Sequence, residues 1–266
     1  MWPQGIRCPV VLSFNFDCEL FWQRWPGRQA TVVEDSQGTY GARVGVHRVL
    51  AMLARQGVPA TFFIPSQVAE RYPEAVRAIH GAGHEIGLRG VGPEDLLGMS
   101  AAQQRDAFAV ASGALKNITG RAPSGFRLPP APETLRIARE AGLLYSSNLM
   151  DYDLPYRHSF DGVPSELIEL PVTQAFEDAA SFTHSEGLGK TVLTPRQVES
   201  LFLDEFEVLY AEGLYCMFTL DPQFIGRPSR LIMLERVIAY MKSLEGVVFN
   251  TAEQVAVQCA SAIPRA

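Results

Sequence analysis

An α/β fold, a single distorted (β/α) barrel of about seven strands, is what three observations predict together. Short runs rich in β-branched and aromatic residues alternate with segments of helical period nearly to the end of the 266 residues. Glycines follow the helical segments at Gly57, Gly83, Gly120, Gly142, Gly213 and Gly246, where C′ caps belong. No Ser/Gly-rich linker or shift of composition divides the chain, so residues 1–266 read as one domain. Alternation of this kind makes parallel strands joined by crossover helices, and about seven or eight strands would close the barrel.

The pairs run in order. "PVVLSFNFD" precedes the helix of "GVHRVLAMLARQG", and "PATFFIP" precedes "SQVAERYPEAVRAIHGAG". "HEIGLRG" precedes "SAAQQRDAFAVASGALKNITG", and "SGFRLP" precedes "PETLRIAREAG". Then come "LLYSSN" and "SELIELPV", "PRQVESLFLDEFEVLYAEG" before "LYCMFTLDP", and "RLIMLERVIAYMKSLEG" before "VVFNT". In such a barrel chemistry sits at the C-terminal ends of the strands. Those ends present Asp17 and Glu19, Arg89, Arg127 and Asp221. The first strand ends in Asp17 and Glu19, which the period of two places on one face. The stretch 148–194 departs from the alternation, is rich in Asp, Tyr, Pro and His, and reads as a functional excursion over the barrel mouth with one short strand.

Composition narrows the function. The formal charge is 23 − 29 = −6, with no Lys/Arg block, so nothing attracts a polyanion and nucleic acid is excluded as an expected partner. The apolar start is broken by Asn15, Asp17 and Glu19 and lacks a basic leader, so neither a signal peptide nor a membrane span is expected. Cys8, Cys18, Cys216 and Cys259 lack C-x-x-C spacing, which points to neither zinc nor a disulfide framework, and a reducing cytoplasm is the default expectation. "HSEGLGKT" at 184–191 has His184 where a phosphate loop needs its first glycine, so no nucleotide cofactor is expected.

Read together, "WPQGIRCPVVLSFNFDCEL", "YGARVG" through "GHEIG", "GFRLPP", "LMDYDLPY", "IELPV", "FEDAASF" and the run from "LDPQFIGRPSR" to "NTAEQVA" resemble the polysaccharide deacetylase family, also called the NodB-homology or carbohydrate esterase 4 group. The likeness is greatest to its cytoplasmic deacetylase-like and allantoinase-like branch. It implies a NodB-type barrel, hydrolysis of an N-acyl or related C–N bond, and self-association as a homo-oligomer. The family's logic is metal-assisted: one Asp is the base, a second Asp and two His hold the metal, and another His is the acid.

This chain departs from that pattern at the decisive positions. Asn15 stands where the base belongs, and a carboxamide cannot take a proton from water. Asp17 matches the metal-binding Asp, but Arg89 and Pro93 replace the two His ligands and Asp221 replaces the acid. A metal held by one carboxylate beside a guanidinium is physically poor, so no metal is expected. His84, His158, His184, Asp153, Asp178 and Glu19 lack ligand spacing for a second site. His47 and His80 read as packing residues, and Arg43, Arg227 and Arg230 as structural pairing groups.

The candidate catalytic residues are therefore Asp17, Glu19, Asp221 and Arg89. The candidate substrate-binding residues are Arg127, which matches the family's Arg-x-Pro motif, with Asn15, Asp153 and Pro129. Arg89 either neutralises Asp17 in place of the metal or, with Arg127, holds a substrate oxygen. Three functions fit: a metal-independent hydrolase of a small amide, imide or ureide; a non-catalytic binding protein on the same fold; or a lyase, isomerase or cyclase.

Overall fold

The computed structural model describes residues 2–24, 29–93, 96–184 and 192–263. Its strands are β1 (Cys8–Asn15), β2 (Thr61–Ile64), β3 (Glu85–Leu88), β4 (Gly125–Phe126), β5 (Tyr145–Ser146), β6 (Tyr156–Phe160), β7 (Val163–Glu169), β8 (Cys216–Leu220) and β9 (Val247–Asn250). They form one sheet in the order β6-β7-β5-β4-β3-β2-β1-β8, with β9 also on β1. All pairings are parallel except β6 with β7. One edge of β1 carries β8 along Val10–Phe14. The other carries β9 along Cys8–Val11 and β2 above it along Ser13–Asn15. The sheet's two ends meet where Glu177 bridges Thr219 in parallel and the Tyr215 hydroxyl donates to the Pro171 carbonyl. The result is a distorted barrel with a seam between β7 and β8.

Between the strands run α1 (Leu20–Gln23), α2 (Val32–Tyr40), α3 (Val46–Gln56), α4 (Ser66–Arg71), α5 (Pro73–Gly81), α6 (Ala101–Thr119), α7 (Thr134–Glu140), α8 (Asp178–Phe182), α9 (Pro195–Glu212), α10 (Pro222–Ile225), α11 (Pro228–Lys242) and α12 (Ala252–Ala262). Capping boxes start α2, α6, α9 and α12 at Thr31, Ser100, Thr194 and Thr251. All six glycines expected after helices take positive φ, so the punctuation that predicted the elements is the conformation the chain uses. No described helix is long and apolar enough to cross a membrane.

Alternation along the strands divides two cores. Val10, Leu12, Phe14, Phe62, Ile64, Phe126, Phe218 and Leu220 face the helical layer. Val11, Phe63, Tyr145, Ile168, Tyr215 and Met217 fill the lumen, together with Val255, Ala256 and Cys259 of α12. Gly87 and Gly125 are lumen positions where a Cβ would stand 2.5 and 2.2 Å from the Phe63 and Tyr145 rings, so their bareness makes room for the aromatic plug.

The strand count exceeds the expected seven because the excursion itself folds. "YRHSF" and "VPSELIE" form the β6–β7 hairpin across Asp161 and Gly162, whose φ of 55 and 80 suit a two-residue Asp-Gly turn. β7 is thus barrel wall, paired with β5. The following residues, Pro171 to Phe182, cross the seam to β8.

Candidate active site

The inward parity of each strand, carried to its C-terminal end, collects the polar groups. It runs Val11, Ser13, Asn15 on β1; Glu85, Gly87, Arg89 past β3; Gly125, Arg127 past β4; and Met217, Thr219, Asp221 past β8.

Asp17 and Arg89 form a bidentate pair. The Arg89 Nε donates to Asp17 Oδ1 at 2.5 Å and Nη2 donates to Oδ2 at 2.8 Å, with side-chain exposures of 11% and 7%. Arg89 Nη1 donates to the Arg127 carbonyl at 3.2 Å. Burial works against the charged guanidinium, but Asp17, then Asp221 and Glu177, outweigh it and raise the Arg89 pKa. Three of its five N–H donors are so engaged, leaving one hydrogen on each terminal nitrogen without a partner among the described residues.

Arg127 lies deeper in the lumen. Nη1 donates to Ser13 Oγ at 2.7 Å, Nε and Nη2 donate to the Ser147 carbonyl and hydroxyl at 3.1 and 2.8 Å, and the guanidinium lies 4.4 Å over the Phe63 ring. Burial, then the Arg89 charge, push its pKa down to about 10. The two arginines are therefore in different layers, with Arg89 at the mouth and Arg127 among serines below it. Pro129 follows on the exposed surface.

Asp221 follows β8 directly and is fully buried, and neither carboxyl oxygen has a hydrogen-bond partner among the described residues. Its backbone N–H donates to Asp178 Oδ1 at 2.9 Å, while Asp178 Oδ2 is also unpartnered and buried. Both acids are held well above the ordinary carboxyl range. For Asp221 the cause is burial and then the Asp17 charge, partly offset by Arg89 and Arg24; for Asp178 it is burial and then Asp221, partly offset by the Asp221 N–H and Arg230. The loop that carries Asp221 is set by close packing. A Cβ on Gly45 would stand 2.1 Å from the Pro222 carbonyl oxygen, and one on Gly226 would meet the same atom at 2.4 Å. Tyr40 adds a hydrogen bond to the Gly226 carbonyl at 3.0 Å. Arg227 stacks over Tyr40 at 3.6 Å, and Arg230 lies 4.1 Å over Phe182 while donating to the Phe224 carbonyl, as expected of structural pairing groups; Arg43 is exposed.

Several expectations need correction. Glu19 does not share a face with Asp17, because extended geometry ends at Asn15, Cys18 turns to φ 52, and Glu19 begins α1 in the right-handed region. Its carboxylate instead accepts from Thr39 and Tyr72, both at 2.6 Å; burial raises its pKa, and those hydrogen bonds outweigh burial and leave it lowered. Asp153 is exposed and lines a cavity of about 260 Å³ at the β7/β8 seam, with Tyr152, Glu205, Tyr215 and Met217, that contains none of Asp17, Arg89 or Asp221. His47 and His80 are exposed, because the buried stripes of their helices run through Val46, Val49, Met52, Leu53 and through Ala75, Val76, Ile79. His158 pairs with the buried Glu169 at 2.8 Å. "HSEGLGKT" lies outside the described residues from 185 to 191, and His184 is exposed.

The donor set does not fit a divalent cation. Both Asp17 oxygens accept from a guanidinium, residue 93 is an exposed proline, and no group of three or more His, Cys, Asp or Glu that could hold a metal occurs among the described residues.

Sequence reasoning left Asp178 as a loose metal candidate and passed over Glu177. Glu177 is half-buried at the bridge to Thr219, and its charge acts on Arg89, Arg127, Asp178 and Asp221. The only signal was the acidic pair inside "FEDAASF", which no period assigns to a face.

Residues 37–145 match a family model described as polysaccharide deacetylase. A peptidoglycan deacetylase of Helicobacter pylori is 26% identical over 277 aligned positions, covering 93% of this chain and 94% of its own. A crystal structure from Mycobacterium smegmatis, assigned as a polysaccharide deacetylase, superposes with a TM-score of 0.89 at 32% identity, covering 100% of this chain and 95% of its own. The structure of PuuE allantoinase gives a TM-score of 0.86 at 29% identity, covering 100% and 94%.

Proposed function

Because this chain belongs to the polysaccharide deacetylase family, we propose that it hydrolyses a non-peptide C–N bond of a small amide, imide or ureide, with a built-in guanidinium in place of the metal. The similar proteins named deacetylase and allantoinase support the bond class. The observation that carries the reading is the Asp17–Arg89 pair beside Asp221, a buried carboxylic acid whose oxygens have no hydrogen-bond partner among the described residues.

Each group has a part in such a reaction. Asp17 fixes the plane of the Arg89 guanidinium, and the two remaining N–H groups are donors for an acyl oxygen. A pre-aimed donor of this kind is worth about 2.7–4 kcal/mol in the transition state. Asp221, kept protonated by burial and by Asp17, can give its proton to the departing nitrogen. Asp17 offsets Arg89, Glu177 offsets Arg127 below it, and the raised acids Asp221 and Asp178 are neutral, which leaves the mouth close to electrically neutral and suits an uncharged substrate.

The test is turnover of small amides, imides and ureides followed by product mass. The expected result is addition of one water per bond broken, persisting in EDTA, and a fall in kcat of about 10²- to 10⁴-fold in Asp221→Asn. Abolition by EDTA would overturn the guanidinium's role, and a product without added water would move the chemistry to a lyase, isomerase or cyclase. One observation favours a non-catalytic binding protein instead: Asn15 occupies the family's base position and cannot accept a proton. A ligand that raises the melting temperature and emerges unchanged would establish that reading.

A further inference from the structure

Hydrolysis needs a group that takes a proton from water, and the residues matched to the family leave that role empty. Asn15 has no basicity, both oxygens of Asp17 accept from Arg89, and Glu19 faces Thr39 and Tyr72. We propose that Glu177 is the general base, so that the proton acceptor has moved from β1 to the segment crossing the barrel seam. The inference rests on the hydrolytic reading above.

The geometry is specific to that segment. Glu177 lies between the 3-10 turn Gln174–Phe176 and α8, and its pairing with Thr219 puts it two residues short of the level of Asp221 on the neighbouring strand. The next residue, Asp178, accepts the Asp221 N–H at 2.9 Å, which locks the segment to the tip of β8. Glu177 itself is half-buried, and its carboxylate has no hydrogen bond or ion pair among the described residues. The charged and titratable groups around this corner are Arg89, Arg127, Asp178 and Asp221, with Asp17, Arg24 and Arg230 behind them.

The step balances. Glu177 removes a proton from water as the water oxygen bonds to the acyl carbon, and the acyl oxygen takes up the electron pair beside Arg89. The C–N bond then breaks as Asp221 delivers its proton to nitrogen. Glu177 ends protonated and Asp221 ionised, and one proton transfer between them, directly or through solvent, restores the starting state.

The experiment compares wild type, Glu177→Gln and Glu177→Ala, each with a melting curve, on a substrate that wild type hydrolyses. The expected result is a kcat lower by about 10²- to 10⁴-fold with KM little changed. The acidic limb of the kcat/KM profile should disappear in Glu177→Gln, and added formate should restore part of the rate in Glu177→Ala. A purely structural role would give no rescue, so full activity in the variants, or a loss that formate leaves untouched, overturns the assignment while the hydrolytic reading stands. A wild type inert on every amide, imide and ureide overturns both.

Discussion

The two ends of the lumen each bury carboxyl groups, and they treat them in opposite ways. At the base, Glu85 on β3 accepts from the Tyr145 and Thr61 hydroxyls, both at 2.7 Å, and from the Glu253 N–H at 2.9 Å. Thr61 in turn accepts the Ala252 N–H at 2.8 Å, so this acid and its neighbour cap the start of α12. At the mouth, Asp221 is also buried and neither of its oxygens accepts a hydrogen bond among the described residues. Burial raises the pKa of both Glu85 and Asp221, and of these two only Glu85 has hydrogen bonds at its carboxyl that oppose it. An unsatisfied buried polar group costs about 1–3 kcal/mol, so a fold keeps one where chemistry or a ligand uses it. The contrast is that of an architectural acid, Glu85, with the acid proposed above as the proton donor, Asp221.

The largest effect expected of a variant that tests this contrast is at the ion pair. Arg89→Ala leaves Asp17 buried and unpaired, and should lower stability by about 3–5 kcal/mol in urea denaturation. Adding Asp17→Asn should recover part of that loss. An Arg89→Ala protein as stable as wild type would show that the pair does not hold the mouth together. Next comes the base: Glu85→Ala removes the shared acceptor of two hydroxyls and a helix N–H, and should cost about 1–3 kcal/mol in all, with kcat unchanged in the folded protein. A kcat that falls with it would erase the distinction between the two ends.

The smallest effect has a sign fixed by linkage. A carboxyl whose pKa is raised on folding contributes stability that is complete below its unfolded value of about 3.9 and is lost as pH rises toward the folded one. Asp221→Asn removes that loss. Its melting temperature should therefore exceed that of wild type at pH 8, with the difference shrinking toward pH 4. A difference that grows on acidification would show that Asp221 is ionised and paired in the folded protein.

Much of the wall was legible in the sequence because strand alternation and glycine punctuation are local. Arg89 and Asp221 at strand ends follow from period two, as does Arg127 on the same inward face. Glu19 failed that reasoning because one left-handed residue, Cys18, ended the period between the two acids. Asp153 failed because the hairpin following it turned the excursion into wall and left the residue at the seam. Glu177 was not legible as a site residue, and Asp178 was legible only as a loose metal candidate, because only the bridge from Glu177 to Thr219, forty-two residues further on, gives this acidic pair a face.

The sequence by itself determined the family, the barrel and the exchange of histidines for Arg89 and Pro93, since these rest on residue identity and short-range pattern. The tertiary structure decided which charges meet. It put Arg89 on Asp17 and Arg127 among serines, turned Glu19 away, and left Asp221 without a partner beside Asp178. Those outcomes depend on which side chains share one small, poorly solvated volume, and long-range strand pairing, rather than any local signal, sets that volume.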